Sequence, residues 1–379
     1  MKRTWLVLAG LLLLAAPAAV QAQFGCATNA DNTLTITNYT GPGGTVVIPT
    51  NINGLVVTSI GDDAFDSFGA LTSVTIAGSV TNIGNSAFHD CYGLTNVTIP
   101  DSVVSIGNNA FGACDALNSV AIPGSVTIIG EDAFYACESL TNATIADGVT
   151  NIGTYAFADC NHLTSLTIPG TVTSMGNYAF NDCYGLANVA MANGVTSIGD
   201  YAFFSCYGLT SLTIADSVTN IGEGAFFYCS NLTRVTLPGS VASLGGIAFQ
   251  DCTNLASVFF QGNAPDADAT VFEQDKNPTA FYLPGTTGWA AFSSNTGVPA
   301  VLWNSIIRAS GSSFGITNNQ FGFNITGATN TPIVVEACTN LASPVWTSLQ
   351  TLTLTNGLFY FSEPVQTNIS GRYYRISSP

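Results

Sequence analysis

Charged residues are scarce in this sequence of 379 residues: they make up 8% of it, against roughly 25% in an average soluble domain. Lys and Arg together number seven, against 23 Asp and Glu, so the net charge is −16 at pH 7. Such a field repels phosphate backbones and anionic lipid head groups. The composition therefore argues against nucleic acid as a partner and predicts a surface solvated mainly by neutral polar groups.

Histidine is nearly absent as well, with His89 and His162 as the two examples. Neither lies in a motif, and nothing marks the strained nucleophile turn and the positioned acid that a Ser-His-Asp triad requires. Acidic residues recur at turn positions, but other residue types interrupt them and they form no DxDxDG loop. We interpret the histidines as surface residues and the acids as turn-capping residues, with calcium binding as the alternative for the acids. The sequence predicts no catalytic residue, no cofactor site and no metal site.

A long apolar run occurs at the N-terminus, and beyond it no segment approaches the ~20 residues that span a bilayer. Residues 1–22 have the form of a secretory signal, with Lys2 and Arg3 before an apolar run at 6–19 and a small-residue cleavage site that ends at Ala22. Cleavage after Ala22 leaves five basic residues against 23 acidic ones, a mature net charge of −18. We expect a secreted or cell-surface protein without a membrane span.

A unit of 23 residues repeats without slippage through most of the chain. Leucine keeps this interval from Leu71 to Leu255, and glycine keeps it from Gly61 to Gly245. An Ala-Phe pair also recurs nine times, with its phenylalanine at Phe65, Phe88, Phe111, Phe134, Phe157, Phe180, Phe203, Phe226 and Phe249. A period of this length is typical of a solenoid, in which single units cannot bury their apolar edges but stacked units share a continuous core.

Within each unit, apolar and polar residues alternate over L-T-x-V-T-I, as at Val97 and Ile99, which predicts a short strand with one buried face. Proline, as at Pro100, ends the strand, since it cannot donate to a ladder. Glycine, as at Gly107, then begins a turn or short helical element, and the Ala-Phe pair returns a large side chain to the core. The expected fold is a leucine-rich-repeat-like repeat solenoid with one short strand plus a turn or short helix per unit.

The register of the repeat also predicts the domains. Phe272 keeps the interval after Phe249, and Phe281 lies 46 residues after Val235, which indicates a degenerate tenth unit. From about residue 305 the period ends, and five or six short alternating runs predict a small all-β domain. The boundaries are 1–22 for the signal peptide, 23–57 for an N-terminal cap, 58–262 for the nine-unit solenoid, 263–304 for the tenth unit and C-terminal cap, and 305–379 for a β-sandwich-like module.

The unit L-T-x-V-x-I-P-x-S-V-x-x-I-G-x-x-A-F-x-x-C resembles the BspA-like class of leucine-rich repeat, the LRR_5 type, over about residues 57–262. Members of that class are surface and secreted proteins of bacteria and some protists, described as antigens and adhesins that bind host or matrix proteins. The resemblance implies a non-enzymatic role in binding and defines no catalytic residue. Residues 336–357 and 370–379 resemble a module that closes many secreted proteins of environmental bacteria.

Eight cysteines recur at the repeat interval, namely Cys91, Cys114, Cys137, Cys160, Cys183, Cys206, Cys229 and Cys252. Neighbours about 5 Å apart lie within the Cα range for a disulfide, but parallel Cβ vectors make the S–S torsion difficult to reach. A straight column also cannot offer zinc a tetrahedral ligand set. We favour buried free thiols, with bridges between adjacent coils and a metal site as alternatives. The sequence leaves open whether Cys26 and Cys338, outside the column, pair with each other.

Two surfaces are candidates for binding. One is the outward face of the strands, a neutral row that includes Asn96, Thr98, Asn142, Thr144 and Thr167. The other lies on the turn side and consists of Tyr155, Tyr178, Tyr201, Tyr184 and Tyr207, with Phe204 and Phe227 nearby in the unit. Aromatic clusters often mark recognition sites because they bury much area with little loss of entropy. The strand propensity of threonine and packing between neighbouring turns are the simpler explanations.

The preferred hypothesis for function is extracellular binding or adhesion, in which a solenoid surface recognises a protein partner. A glycan-binding module, favoured by the tyrosines and the neutral polar face, is the second hypothesis. A structural spacer or surface-layer component is the third. The regular threonine rows also admit ice binding, and an enzyme is the least supported alternative.

Overall fold

The computed structural model describes residues 23–303, 305–308, 314–341, 343–365 and 371–377, so the predicted signal segment lies outside the described residues. Five strands form the N-terminal end: β1 (Phe24–Thr28), β2 (Leu34–Tyr39), β3 (Gly44–Val47), β4 (Asn51–Ile52) and β5 (Leu55–Ile60). β1 pairs antiparallel with β2, which in turn pairs in parallel with β5. The hairpin of β1 and β2 therefore covers an edge that would otherwise be exposed.

Each following repeat unit contributes a long strand and a short one, except the last, which contributes only the long strand. The long strands are β6 (Leu71–Thr75), β8 (Asn96–Thr98), β10 (Ser119–Ile122), β12 (Asn142–Ile145), β14 (Ser165–Ile168), β16 (Asn188–Met191), β18 (Ser211–Thr213), β20 (Arg234–Leu237) and β22 (Ser257–Phe260). The short strands are β7 (Asn82–Ile83), β9 (Ser105–Ile106), β11 (Ile128–Ile129), β13 (Asn151–Ile152), β15 (Ser174–Met175), β17 (Ser197–Ile198), β19 (Asn220–Ile221) and β21 (Ser243–Leu244). The long strand is the one that the sequence predicted. The short strand was missed because two residues cannot display an alternation.

Successive coils pair in parallel at the repeat interval, as the pairs Ser165 with Asn188 and Asn188 with Ser211 show. The short strands continue the sheet of β1, β2 and β5 as far as β21, whereas the long strands form an interrupted row. Equivalent side chains therefore stack in columns along the molecule. This arrangement confirms the predicted repeat solenoid.

The third side of each coil is a run of turns, which is one of the two conformations that the sequence allowed there. Here the phenylalanine amide donates to the alanine carbonyl of the following coil, as from Phe157 N to Ala179 O at 2.8 Å. In the sheet the direction reverses, and Gly176 N donates to Ile152 O of the preceding coil at 2.9 Å. Each side of a coil therefore makes backbone hydrogen bonds to a neighbouring coil. These bonds pair backbone groups that burial would otherwise leave unsatisfied.

The core of the solenoid is built from the predicted columns. The nine rings from Phe65 to Phe249 are at most 2% exposed, and adjacent ring centroids lie 4.9 to 5.4 Å apart. The glycine column permits close approach of neighbouring coils: a Cβ on Gly107 would lie 2.6 Å from the carbonyl carbon of Gly84. No other residue fits there without displacing the backbone.

The C-terminal end of the solenoid contains β23 (Thr279–Tyr282), α1 (Trp289–Thr296) and β24 (Ala300–Leu302). Phe272 continues the phenylalanine stack, with its ring centroid 5.7 Å from that of Phe249. The Trp289 and Phe292 rings of α1 lie 4.9 and 5.2 Å from that of Phe260. The helix thereby covers the open end of the core, which a solenoid must protect from solvent.

The register of β23 corrects one detail of the sequence analysis, which aligned Phe281 with Val235. In the structure Phe281 pairs with Phe259, and Phe259 pairs with Thr236, so this coil is one residue shorter than the repeat. A shift of one residue exchanges the two faces of a strand. Phe281 therefore leaves the core row and stacks on Phe259 on the other face, at 5.1 Å.

The remaining strands form the small all-β domain that the sequence predicted: β25 (Ile306–Arg308), β26 (Gly315–Thr317), β27 (Gln320–Thr326), β28 (Thr331–Cys338), β29 (Thr347–Leu354), β30 (Leu358–Pro364) and β31 (Tyr373–Ser377). One sheet joins β25, β26 and β30 to β27, and the other joins β29 and β31 to β28. Side chains from both sheets share one core, including Phe323 and Ile325 from the first and Ile333 and Val335 from the second. Among the described residues, no helix is long and apolar enough to cross a membrane.

Candidate functional site

The outward face of the long strands is a neutral polar surface. Alternation along each strand exposes Asn96 and Thr98 on β8, Asn142 and Thr144 on β12, and Thr167 on β14. Parallel pairing sets each of these residues beside its counterpart in a neighbouring coil. The predicted strand-face residues therefore lie on one side of the solenoid, in columns that follow the interrupted row of long strands.

A depression of about 400 Å³ interrupts this face between β18 and β20, whose strands belong to different sheets. Thr213 and Arg234 are among the residues that line it. Arg234 occupies the position that Ser or Asn holds in the other long strands, and it is exposed. The sequence pattern did not single out Arg234 as a site residue, although one basic side chain in a neutral column was a readable signal.

The turn side carries a stack of three tyrosines. The ring centroids of Tyr155 and Tyr178 lie 4.7 Å apart, and those of Tyr178 and Tyr201 lie 4.9 Å apart, with interplanar angles of 10° and 4°. All three adopt the left-handed backbone region, with φ of 53°, 58° and 55°. The four preceding units place Asp, Ser or Asn at this position, and Asn and Asp accept that conformation most readily.

The stack belongs to a larger network that we call the aromatic ridge, consisting of Tyr155, Tyr178, Tyr201, Phe204, Phe227, Tyr228, Tyr207 and Tyr184. Phe204 links the stack to the other rings, because its centroid lies 6.0 Å from those of both Tyr201 and Tyr228. Tyr207 lies 5.4 Å from Tyr184 and 6.5 Å from Tyr228. Tyr228 was not predicted because most other units hold Asp, Ala or Ser at its position.

The structure brings the five predicted tyrosines together and leaves the five predicted Asn and Thr residues on another side of the coil. The tyrosines belong to the turns, whereas the Asn and Thr residues belong to the long strands. Tyr184 and Tyr207 are 45% and 42% exposed, so the ridge meets solvent. The candidate residues therefore form two separate surfaces.

The cysteine column has a structural role. All eight thiols are buried and free, and each Sγ–H donates to a phenylalanine carbonyl of the preceding coil, as from Cys160 to Phe134 at 3.3 Å and from Cys183 to Phe157 at 3.2 Å. Burial raises the pKa of the Cys137 thiol to about 12. Because the thiolate is the reactive species, burial disfavours reaction of these cysteines in the folded protein. Cys26 in β1 and Cys338 in β28 are also free thiols.

Thiol titration is expected to show this burial directly. In the native mature protein a thiol reagent should modify Cys26, which is exposed, and react slowly with the column because burial suppresses its thiolates. After denaturation without a reductant, all ten cysteines should react. Fewer than eight free thiols after denaturation would show that adjacent coils are bridged.

The histidines and several turn acids have local structural partners. His89 Nδ1 lies 2.9 Å from Asp66 Oδ1, and His162 Nδ1 lies 2.7 Å from the Glu138 carbonyl oxygen. Asp200 Oδ1 accepts a hydrogen bond from Glu223 N at 2.9 Å, so the predicted capping acts from one coil to the next. Within the described parts of the chain, no group of three or more His, Cys, Asp or Glu residues could hold a metal ion.

Comparison with solved structures found several similar chains. A leucine-rich repeat protein of T. pallidum is 29% identical, with 56% of this chain and 88% of that one covered and a TM-score of 0.44. A leucine-rich cell surface protein of Faecalibacterium prausnitzii A2-165 is 26% identical, with coverage of 73% and 97% and a TM-score of 0.37. The pneumococcal vaccine antigen PcpA is 18% identical, with coverage of 74% and 96% and a TM-score of 0.39.

No curated protein matches the sequence. The family model described as BspA type leucine rich repeat region matches residues 58–187 and 151–279, with six copies of the repeat. Together these two segments cover more than half of the 379 residues. The chain therefore belongs to the family of BspA type leucine-rich repeat proteins.

Proposed function

We propose that the chain is a non-enzymatic extracellular protein that recognises a protein partner through the surface of its solenoid. The observation that carries this proposal is the aromatic ridge. Its eight rings form one contiguous network, and Tyr184, Tyr207 and Tyr228 are 39 to 45% exposed. Clustered aromatic side chains at a surface are typical of protein interfaces, because a partner can bury much apolar area there at a small cost in side-chain entropy.

Export is part of the same proposal. Residues 1–22 would direct secretion and be removed after Ala22, leaving the caps, the solenoid and the module at 305–379 as the mature protein. The low basic content supports a partner other than nucleic acid. The mature protein would then be secreted or held at the cell surface.

Glycan binding is the second candidate function. The exposed rings of Tyr184 and Tyr207 offer apolar surface on the turn side, and the strand face offers neutral hydroxyl and amide groups such as those of Thr144 and Asn142. Each surface suits one feature of a sugar, which has partly apolar faces and many hydroxyl groups. A structural spacer or surface-layer component would need neither surface to bind a soluble ligand.

A panel of extracellular matrix proteins screened beside a glycan array separates these functions. We expect saturable binding to a protein, weakened in Tyr178→Ala and retained in Asn142→Ala. Saturable binding to a glycan alone would favour the second candidate. If neither panel gives saturable binding, both binding functions are wrong and the spacer function gains support.

A further inference from the structure

The aromatic ridge lies in a field of carboxylates. Tyr201 Oη donates to Glu223 Oε1 at 2.8 Å. Burial and this hydrogen bond to Glu223 raise the pKa of Tyr201 to about 12. Burial, and then the charge of Asp182, raise the pKa of Tyr184. Carboxylates therefore lie beside the ridge at two places, at Tyr201 and at Tyr184.

Basic side chains that could neutralise these carboxylates are scarce in the solenoid. Arg234 and Lys276 are its only two basic residues within the described range 23–303, and Arg234 lies on the strand face. Lys276 Nζ hydrogen bonds to Asn254 Oδ1 at 3.2 Å. The described Arg ion pairs, of Arg372 and Arg375, belong to the C-terminal domain. The negative charge around the ridge is therefore available to a partner.

Resting on the proposed protein-binding function, we propose that the aromatic ridge is the docking surface for a basic segment of the partner, whose lysine or arginine side chains pair with Glu223, Asp200 and Asp182 beside the exposed rings. The apolar stems of lysine and arginine can cover the exposed edges of the rings while their charged ends reach the carboxylates. The surrounding carboxylates add charge complementarity, which increases the association rate and rejects acidic partners. A neutral glycan would use the rings but leave the carboxylates without a counter-charge.

Synthetic peptides test this inference on the full mature chain. The probe is a labelled peptide with four arginines spaced by glycine and serine, and the matched probes replace arginine with glutamate or glutamine. Fluorescence anisotropy should show saturable binding of the arginine peptide and none of the other two. Binding should weaken with added salt, because exposed ion pairs are screened over about 10 Å at 0.1 M ionic strength.

Variants locate the site. Tyr178→Ala should weaken binding of the arginine peptide several-fold, because loss of the middle ring opens the stack and removes apolar surface that the partner would cover, whereas Tyr178→Phe should keep most of the affinity because the stack remains. Glu223→Gln should weaken binding a few-fold. Tyr92→Ala and Asp101→Asn are the matched controls, because both residues are exposed and neither belongs to the ridge. Melting curves of each variant check that the fold is intact.

Three outcomes overturn the inference. Equal losses in Glu223→Gln and Asp101→Asn, with none in Tyr178→Ala, would show diffuse attraction to an acidic protein. If the arginine peptide does not bind while a matrix protein does, and Tyr178→Ala abolishes binding of that protein, the basic-segment inference is wrong and the proposed function stands. If neither the arginine peptide nor a matrix protein binds, the proposed function is wrong as well.

Discussion

Phe157→Ala is expected to lower the free energy of unfolding by about 3–5 kcal/mol, the usual cost of removing a fully buried phenylalanine side chain. The Phe157 ring is fully buried and lies 5.1 and 5.4 Å from those of Phe134 and Phe180. Its removal leaves a cavity in mid-solenoid and breaks the stack into two halves. Because each coil contacts only its neighbours, the loss should also reduce cooperativity between those halves.

Urea unfolding followed by circular dichroism measures this loss. Tyr92→Ala is the matched control, since that ring is 63% exposed and exposed substitutions usually change stability by less than about 0.5 kcal/mol. The loss of stability in Phe157→Leu should be smaller than in Phe157→Ala and larger than in Tyr92→Ala, because leucine fills part of the cavity. Similar losses in Phe157→Ala and Tyr92→Ala would contradict the assignment of the phenylalanine column as the core.

Asp275 is expected to make the C-terminal end of the solenoid less stable as the pH rises from about 4 to about 8. The residue lies 23 positions after Cys252, so a carboxyl group takes the place of a thiol at the end of the column. Neither of its carboxyl oxygens has a hydrogen-bond partner. Burial raises the pKa of Asp275 from 3.8 to about 8. The nearby Cys252 amide opposes part of this shift, and the charge of Asp251 adds to it.

Proton linkage makes the free energy of unfolding fall as the pH rises. Between these two pKa values the folded chain keeps a proton on Asp275 that the unfolded chain releases. Stability from this group is therefore fully present below about pH 4 and is lost as the pH rises through about 8. Asp275→Asn should flatten that dependence, and Asp275→Cys should restore the packing of the preceding coils.

Hydrogen exchange at several pH values tests this prediction locally. Amides of residues 264–300 should exchange faster at pH 8.5 than at pH 5, after correction for the intrinsic pH dependence of exchange, and those of residues 140–200 should change less. Asp216→Asn is the control, because Asp216 is exposed. An Asp275→Asn protein with unchanged pH dependence would show that another group is responsible.

The sequence was enough to predict the solenoid because a strict period sends equivalent residues into equivalent environments. Phe157, Cys160 and Leu163 recur in step, and each column is buried as expected. The strands of the C-terminal domain were also readable, since β27 to β31 are long enough to show turn signals and alternation. Its two three-residue strands, β25 and β26, were missed for the same reason as the short strands of the solenoid.

The candidate binding residues were only partly predictable. Tyr155, Tyr178 and Tyr201 share one repeat position, so the period alone indicated that they would stack. The link from Tyr201 through Phe204 to Tyr228 joins three different positions of the unit. Such a contact depends on the shape of the turn, which the repeat interval does not reveal.

The sequence by itself therefore determined the period, the parallel stacking, the identity of the core columns and the family of the chain. Tertiary structure alone decided the second strand of each coil, the register of β23 and the single network of the aromatic ridge. The physical reason is that translation by one repeat brings like residues together and is visible in the sequence. Contacts between unlike positions depend on backbone geometry within the coil, which forms only when the coils pack.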